Sequence, residues 1–420
     1  MRRIIILLLI CIWSTATLFA QVAKANESLH AHRLPKAKQL IDEAMKTVAN
    51  QKSPDAWYTK TKVYVAIAND PLMYKQFPAA RMVAFDAFKK YIAIDDNMLI
   101  ALQIDAYQPI NDIYTGFYQE GATSFNSQQY AKAYEQFNNA IKVSSLMTER
   151  GWINLKLDTN SVLYAGVAAE KLNRVSDAVR YYSQLLEAKV KGENFVDIYK
   201  WVANYYFEAK QASLANRYLL IGKEVYPGDP FWTSLELDMT REKGDQDALF
   251  ALYEKTIMAE PANHLYRYNY AVELYQAGYN IDGTKRPANS DALIEKAILH
   301  INKVIQIKPD YSNAQLFAGQ IHYNKGVDIL NKSKVFIGTS PENIKAKADL
   351  KAAAIDKFDL AIPYFQRTAQ LLDSQGKLKK EDMSDLKEAY DLLITIYEQK
   401  NMKEKATEYE TKLKEVDKNH

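Results

Sequence analysis

The sequence predicts an all-α chain of stacked helix pairs, and three observations carry that prediction. Pro227 and Pro261 stand 34 residues apart, each where a second helix would close. A fixed period of roughly 20 to 50 residues marks a repeat architecture. Small residues recur with an aromatic or aliphatic residue at i+4 and a small or aliphatic one at i+7, as in Ala133, Phe137, Ala140 and Ala178, Tyr182, Leu185. That spacing is one face of a helix. Finally, the chain has 420 residues, far above the ~100–150 of a single-core domain, and stacked pairs escape that ceiling because each packs only on its neighbours.

Arg2 and Arg3, the apolar run from Ile4 to Trp13 and a small, polar stretch read as a secretory signal. Cleavage is expected after Ala20, leaving residues 21–420 as the repeat chain. A retained anchor over Ile4 to Ala23 is the alternative, since that stretch has no charge and is about 20 residues long. Cys11, the only cysteine, lies in the signal, so a cleaved chain has no disulfide or thiol chemistry. Export without cysteine fits a periplasm or cell envelope of a Gram-negative bacterium.

His30 and His32 fall in a segment expected to be frayed. Leu34 to Val48 reads as the second helix of a partial pair, with Ala37, Ile41 and Ala44 on its face. Trp57 and Tyr64 lie on the next first helix, which Asn69-Asp70-Pro71 stops. Ala84, Phe88 and Tyr91 belong to its partner, and Asn97 to Phe125 reads as a helix broken near Pro109. Clear units follow near residues 114–145, 159–190, 196–229, 230–263, 264–311, 312–373 and 387–416, about eight with the partial one. The unit at 264–311 carries a Gly/Pro/Asn loop at 279–290. The unit at 312–373 carries two over-long antiparallel helices meeting near Gly338, each extended by roughly 15 residues, or ~22 Å. Ser340-Pro341-Glu342 marks the second helix start, with Ser as cap and Pro in the first turn.

A unit begun at Val196 places Ala203, Tyr206, Ala215, Leu219, Gly222 and Pro227 at its eighth, eleventh, twentieth, twenty-fourth, twenty-seventh and thirty-second positions. Gly121, Ala133, Phe137 and Ala140 repeat the pattern, as do Gly166, Ala178, Tyr182 and Leu185. The unit from Pro230 is the poorest, with Leu237 and Leu249 in small positions, although Tyr253 and Pro261 keep its register. These positions resemble the tetratricopeptide-repeat (TPR) family. YNKGVDILNKS with LAIPYFQRTAQLL, and AKQLIDEAM with DAWYTKTKVYVAI, are similar to exported TPR proteins of Bacteroidota-type bacteria. The resemblance implies a right-handed α-solenoid whose first helices line a concave surface, and it implies location and architecture rather than an activity.

Charge and chemistry narrow the function. The chain holds 54 Lys and Arg against 51 Asp and Glu, or 52 against 51 beyond residue 20. With no basic stripe interleaved with aromatics, nucleic acid is not an expected partner. None of the six histidines forms a His-Glu-x-x-His pattern. Asn280, Asp282 and Gly283 resemble part of a calcium loop, but Gly278 and Asn289 stand where its end carboxylates belong. Asp95-Asp96 and Glu381-Asp382 read as helix-start acids favoured by the dipole. The Lys-rich stretch from Lys325 to Lys357 reads as a solvated face, with docking on an acidic partner as the alternative. No enzyme, metal or cofactor is expected.

The resemblance assigns Tyr118, Phe125, Lys200, Asn204, Phe207, Tyr268, Tyr275, Asn313 and Tyr323 to the concave surface. Tyr and Phe there offer large contact area at small entropy cost, suited to a peptide groove. The same rings could equally pack on the neighbouring pair. The expected function is a non-enzymatic scaffold that binds protein or peptide partners of the envelope. The alternative is a module for polysaccharide or peptidoglycan, where aromatics stack on sugars. Membrane contact is expected only if the N-terminal segment is retained.

Overall fold

The computed structural model describes residues 20–95, 99–280 and 285–419. Residues 1–19 of the expected signal, with Cys11 and most of the alternative anchor, lie outside them, as do Asp96, Asp282 and Gly283. All regular structure among the described residues is helical. The chain divides into two units, residues up to Leu235 and from Glu236.

The first unit opens with α1, residues 20–30, followed by α2 (Leu34–Ala44) and the short α3 (Val48–Gln51). The segment expected to be frayed is thus largely helical. Ala25 and Ser28 are buried in it, because α1 supplies an apolar flank to the helices that follow. Helix α2 also ends earlier than Val48: Thr47 caps α3 instead, its hydroxyl accepting from the Asn50 amide. Then come α4 (Pro54–Asn69), α5 (Pro71–Gln76), α6 (Ala80–Ile94) and α7 (Ile100–Ile104). Asp95 stands at the C-terminal end of α6, not at a helix start. The break expected near Pro109 occurs at Ala106 and Tyr107, both at positive φ. Pairs α8 (Gln108–Asn126) and α9 (Tyr130–Glu149), α10 (Thr159–Lys171) and α11 (Val175–Glu187), and α12 (Val196–Glu208) and α13 (Ala212–Val225) complete the unit. The division falls within α14 (Phe231–Glu242).

The second unit continues with α15 (Gln246–Ala259), α16 (His264–Gly278) and α17 (Ser290–Ile307). Next are α18 (Ser312–Ser333) and α19 (Pro341–Asp373), then α20 (Lys380–Gln399) and α21 (Lys403–Asn419).

Two punctuation devices make these pairs. Within a pair, Gln128, Asn173, Lys210 and Asn401 adopt left-handed backbone. The following amide in each case bonds back five residues: Gln129 to Ser124, Arg174 to Ala169, Gln211 to Tyr206 and Met402 to Tyr397, at 2.8–2.9 Å. This satisfies carbonyls left open at a helix end. Between pairs, α13, α15 and α17 each stop two residues before a proline, at Pro227, Pro261 and Pro309. The residue ahead of each proline (Tyr226, Glu260, Lys308) has left helical geometry, with ψ of 64 to 84°, as the proline ring requires.

Packing follows the small-and-aromatic pattern. A Cβ at Gly121 would lie 2.9 Å from the Phe137 ring, at Gly166 2.5 Å from Tyr182, and at Gly319 2.5 Å from Phe365. The glycine is what lets each ring cross so closely. In the poorest unit Leu237 and Leu249 are both buried with Tyr253, so the small positions are filled by packing rather than by close approach.

The first unit also buries Arg81, a charged residue that no repeat position marks for the core. Its guanidinium donates to Glu120 at 2.9 Å and to the Ala68 carbonyl at 3.0 Å. Gly116 makes room for it.

The expected long hairpin is present, but unevenly extended. Helix α18 has 22 residues against 15 in α16, and α19 has 33 against 18 in α17. Ser340 caps α19 with Pro341 in its first turn, and Gly338 has φ 99° in the connection.

Candidate interaction face

In the second unit α16, α18 and α20 are the first helices of successive pairs, and their side chains meet. Tyr268 and Tyr275, seven residues apart on α16, both contact Phe317 of α18, with ring centres 6.0 and 5.5 Å away. Tyr311, just ahead of α18, lies edge-on to Tyr268 at 5.2 Å and to His264 at 5.1 Å. Burial pushes the Tyr268 hydroxyl up to about 12, with Tyr311 and Asp385 of α20 acting in the same direction.

Asp385 is the chemically distinctive group on this face. It is half-buried, and burial pushes its carboxyl up to about 6. Glu388, Asp382 and Glu381 add to that shift. Among the described residues no Lys, Arg or His pairs with it. Lys387, on the same helix, turns to Asp417 at 2.6 Å, and Glu388 accepts from the Gln320 amide at 2.5 Å. A carboxylate withdrawn from water among like charges favours an incoming cation.

The two insertions join at the rim of this face. Arg286, from the 279–290 loop, donates two bonds to Asp328 of α18, at 2.8 and 2.9 Å. Its guanidinium also lies 4.3 Å from the Tyr279 ring centre. Tyr279 in turn stacks on Tyr275 at 4.9 Å. A two-pronged Arg–carboxylate bond fixes orientation as well as distance, so the loop braces the hairpin root.

The other expected surface residues sit as follows. Tyr275 is buried, its hydroxyl accepting from Asn324 at 2.9 Å, so it supports the face from beneath. Tyr323 packs on Phe358 of α19 at 5.4 Å, inside its own pair. Asn313 is half-buried in the first turn of α18. In the first unit Tyr118 lies edge-on to Phe137 at 5.8 Å, and Phe125 edge-on to Tyr130 and Tyr164. Lys200 is neutralised by Asp229 at 2.6 Å, Asn204 donates to Glu208, and Lys210 lies over Phe207.

The first unit also has a cleft of about 450 Å³ between α4 and α8, lined by Lys62, Asn69, Asp105 and Asp112 among others. Its charges are already answered. Lys62 pairs with Asp105 at 3.3 Å, Tyr58 donates to the same carboxylate at 2.8 Å, and Gln108 donates to Asp112. No group of three or more His, Cys, Asp or Glu side chains among the described residues is placed to hold a metal ion.

Phe317, Tyr311 and Asp385 were not singled out by the repeat register. Tyr311 precedes its unit, and Asp385 lies ahead of residue 387, where the last unit was begun although α20 starts at Lys380. The pairing of Arg286 with Asp328 joins two insertions that have no register at all.

No family model matches the chain, and no curated protein does. Several solved structures are similar in fold. The C-terminal part of a TPR repeat-containing protein from Cytophaga hutchinsonii is 14% identical, covering 72% of this chain and 96% of that one at a TM-score of 0.45. A TPR repeats protein from Bacteroides fragilis is 18% identical, covering 66% and 98% at 0.29. YrrB, a TPR protein with an unusual peptide-binding site, is 16% identical, covering 47% and 88% at 0.31. The solved proteins this chain resembles are thus tetratricopeptide-repeat proteins, two of them from the bacterial genera Cytophaga and Bacteroides.

Proposed function

We propose that the chain is a non-enzymatic interaction scaffold of the bacterial cell envelope, holding a protein partner on the first-helix face of its second unit. The partner presents an extended segment with a basic side chain that enters beside Asp385, while Tyr268, Tyr311 and Phe317 cover the apolar part of that segment. The observation that carries this reading is the half-buried Asp385, ringed by three further carboxylates and by no cation among the described residues. Aromatic rings beside an acidic group suit a cation in both ways, through the carboxylate and through the ring faces. The envelope setting is supported by the signal-like residues 1–20.

The polysaccharide reading needs free ring faces for sugars. Several faces are taken: Tyr275 stacks on Tyr279 and Tyr205 on Trp201.

Titration of the full chain with peptides differing only by lysine or acetyl-lysine tests the proposal. Lysine peptides should bind more tightly, and Asp385→Asn should remove that preference. Equal binding of both peptides, or retention on purified peptidoglycan alone, would reject it.

A further inference from the structure

The distal half of the α18–α19 hairpin carries a surface the repeat does not explain. No residue from 327 to 353 is fully buried, and its outside contacts lie at its base, where Asp328 bonds Arg286 and Val327, Ile329 and Leu330 pack on the core of the root. At its end Val335, Ile337 and Ile344 are exposed by 77, 84 and 56%, with Phe336 also exposed. Isolated exposed apolar residues are ordinary, but a contiguous group at the tip of a projection marks a contact. The connection is pre-formed. The Asn343 side chain donates to the Ile337 carbonyl at 2.7 Å, its amide donates to Ser340 Oγ at 3.3 Å, and Gly338 supplies the positive φ. The apolar side chains are therefore held outward by fixed backbone.

Behind the tip stands a basic collar. Residues 331–351 contain Lys332, Lys334, Lys345, Lys347 and Lys351 against Glu342 and Asp349, an excess of three positive charges from five minus two. All five lysines are exposed, and none is ion-paired among the described residues. Lys325, at the hairpin root, instead pairs with Glu295. Along the axis, Lys345 and Lys347 stand four and six residues beyond Pro341, or ~6–9 Å at 1.5 Å per residue. The headgroup layer on each side of a bilayer is about 5–8 Å deep. An apolar tip followed at that depth by cations matches the layering of an anionic membrane surface. It also matches the chemistry of lipid-associating segments, in which apolar residues enter the acyl boundary and lysines meet anionic headgroups.

We propose that the hairpin tip docks on an anionic lipid bilayer, with Val335, Phe336 and Ile337 entering the interface and the four lysines nearest the tip binding headgroups. This docking is independent of the Asp385 face. The test uses the full chain with Thr339→Cys carrying a nitroxide in a Cys11→Ser background, and Met258→Cys in the same background as a control. Each is mixed with vesicles of phosphatidylglycerol and phosphatidylcholine, or of phosphatidylcholine alone. On anionic vesicles the label at 339 should become accessible to oxygen and shielded from a water-soluble nickel chelate, while the label at 258 stays in water. V335S/F336S/I337S should abolish this change, and K332Q/K334Q/K345Q/K347Q should weaken partitioning at least tenfold. Neither set touches a buried residue, so circular dichroism should be unchanged. A label at 339 that stays in water while the chain sediments with vesicles would place the attachment elsewhere and overturn the proposal. Tip-dependent binding to an acidic protein with none to vesicles would overturn it equally.

Discussion

The two halves of the α18–α19 hairpin belong to the same pair of helices yet obey different rules. Near the root, Gly319 and Gly326 lie against Phe365 and Phe358, where added Cβ atoms would approach to 2.5 and 2.6 Å. Those rings are fully buried, in a core shared with α20 and α21. Beyond Gly326 the small-and-aromatic alternation stops and Ala and Lys take over. Burial stops with it. Within this hairpin the crossing glycines thus lie where the pair has neighbours, and none lies at a crossing beyond Gly326.

Substitutions at the root should have the largest effect. Phe365→Ala should destabilise the second unit by about 3–5 kcal/mol, the usual cost of removing a buried Phe, measured by urea unfolding. A cost below about 1 kcal/mol would mean that the root is not packed as described.

Next comes acidification of the same unit. His300 is buried against Tyr270, and burial lowers it to about 4, with Arg267 and Lys296 adding and Glu254 opposing. The folded state therefore resists protonation that the unfolded chain accepts below about 6.5. Stability from this group is complete above 6.5 and is lost as pH falls towards 4, by about 3 kcal/mol in total. His300→Gln should flatten that part of the pH profile, read from thermal unfolding between pH 7 and 4. His322, also lowered by burial with Lys325 and Lys357 adding, would retain the remaining slope.

A smaller effect is expected at the brace. Arg286→Gln should cost about 1–2 kcal/mol, within the range for a partly exposed charge-assisted pair, and should hasten proteolytic cutting in the 279–290 loop. Arg286→Lys should recover little, since an ammonium cannot make the two-pronged bond. The smallest effect belongs to the distal half. Ile344→Ala should change stability by less than about 0.5 kcal/mol. A larger loss would show that the distal half has neighbours after all.

The order of these effects follows what the sequence makes legible. The pairs were readable because crossing residues must be small on one helix and large on the other, and Pro227, Pro261 and Pro309 fix where second helices end. The turns inside pairs were not readable. Gln128, Asn173, Lys210 and Asn401 all take left-handed backbone, yet none is the glycine that would announce it. Helix α1 was hidden because Ala25 is buried in a core cluster drawn from helices as distant in sequence as α8 and α9. The interaction face was half legible. Tyr268 fell on the expected positions, but Asp385 depends on which helices lie side by side, and Arg81 on a void left by Gly116. Both are outcomes of assembly rather than of local pattern.

The brace between Arg286 and Asp328 has one more consequence. Because two parallel bonds resist rotation as well as separation, a rod gripped there keeps its heading, and any load met at its far end is felt as leverage on the strand of chain between α16 and α17. Arg286 lies over the Tyr279 ring, which stacks on Tyr275, so a push on the outer end and the occupancy of the aromatic face bear on the same few side chains.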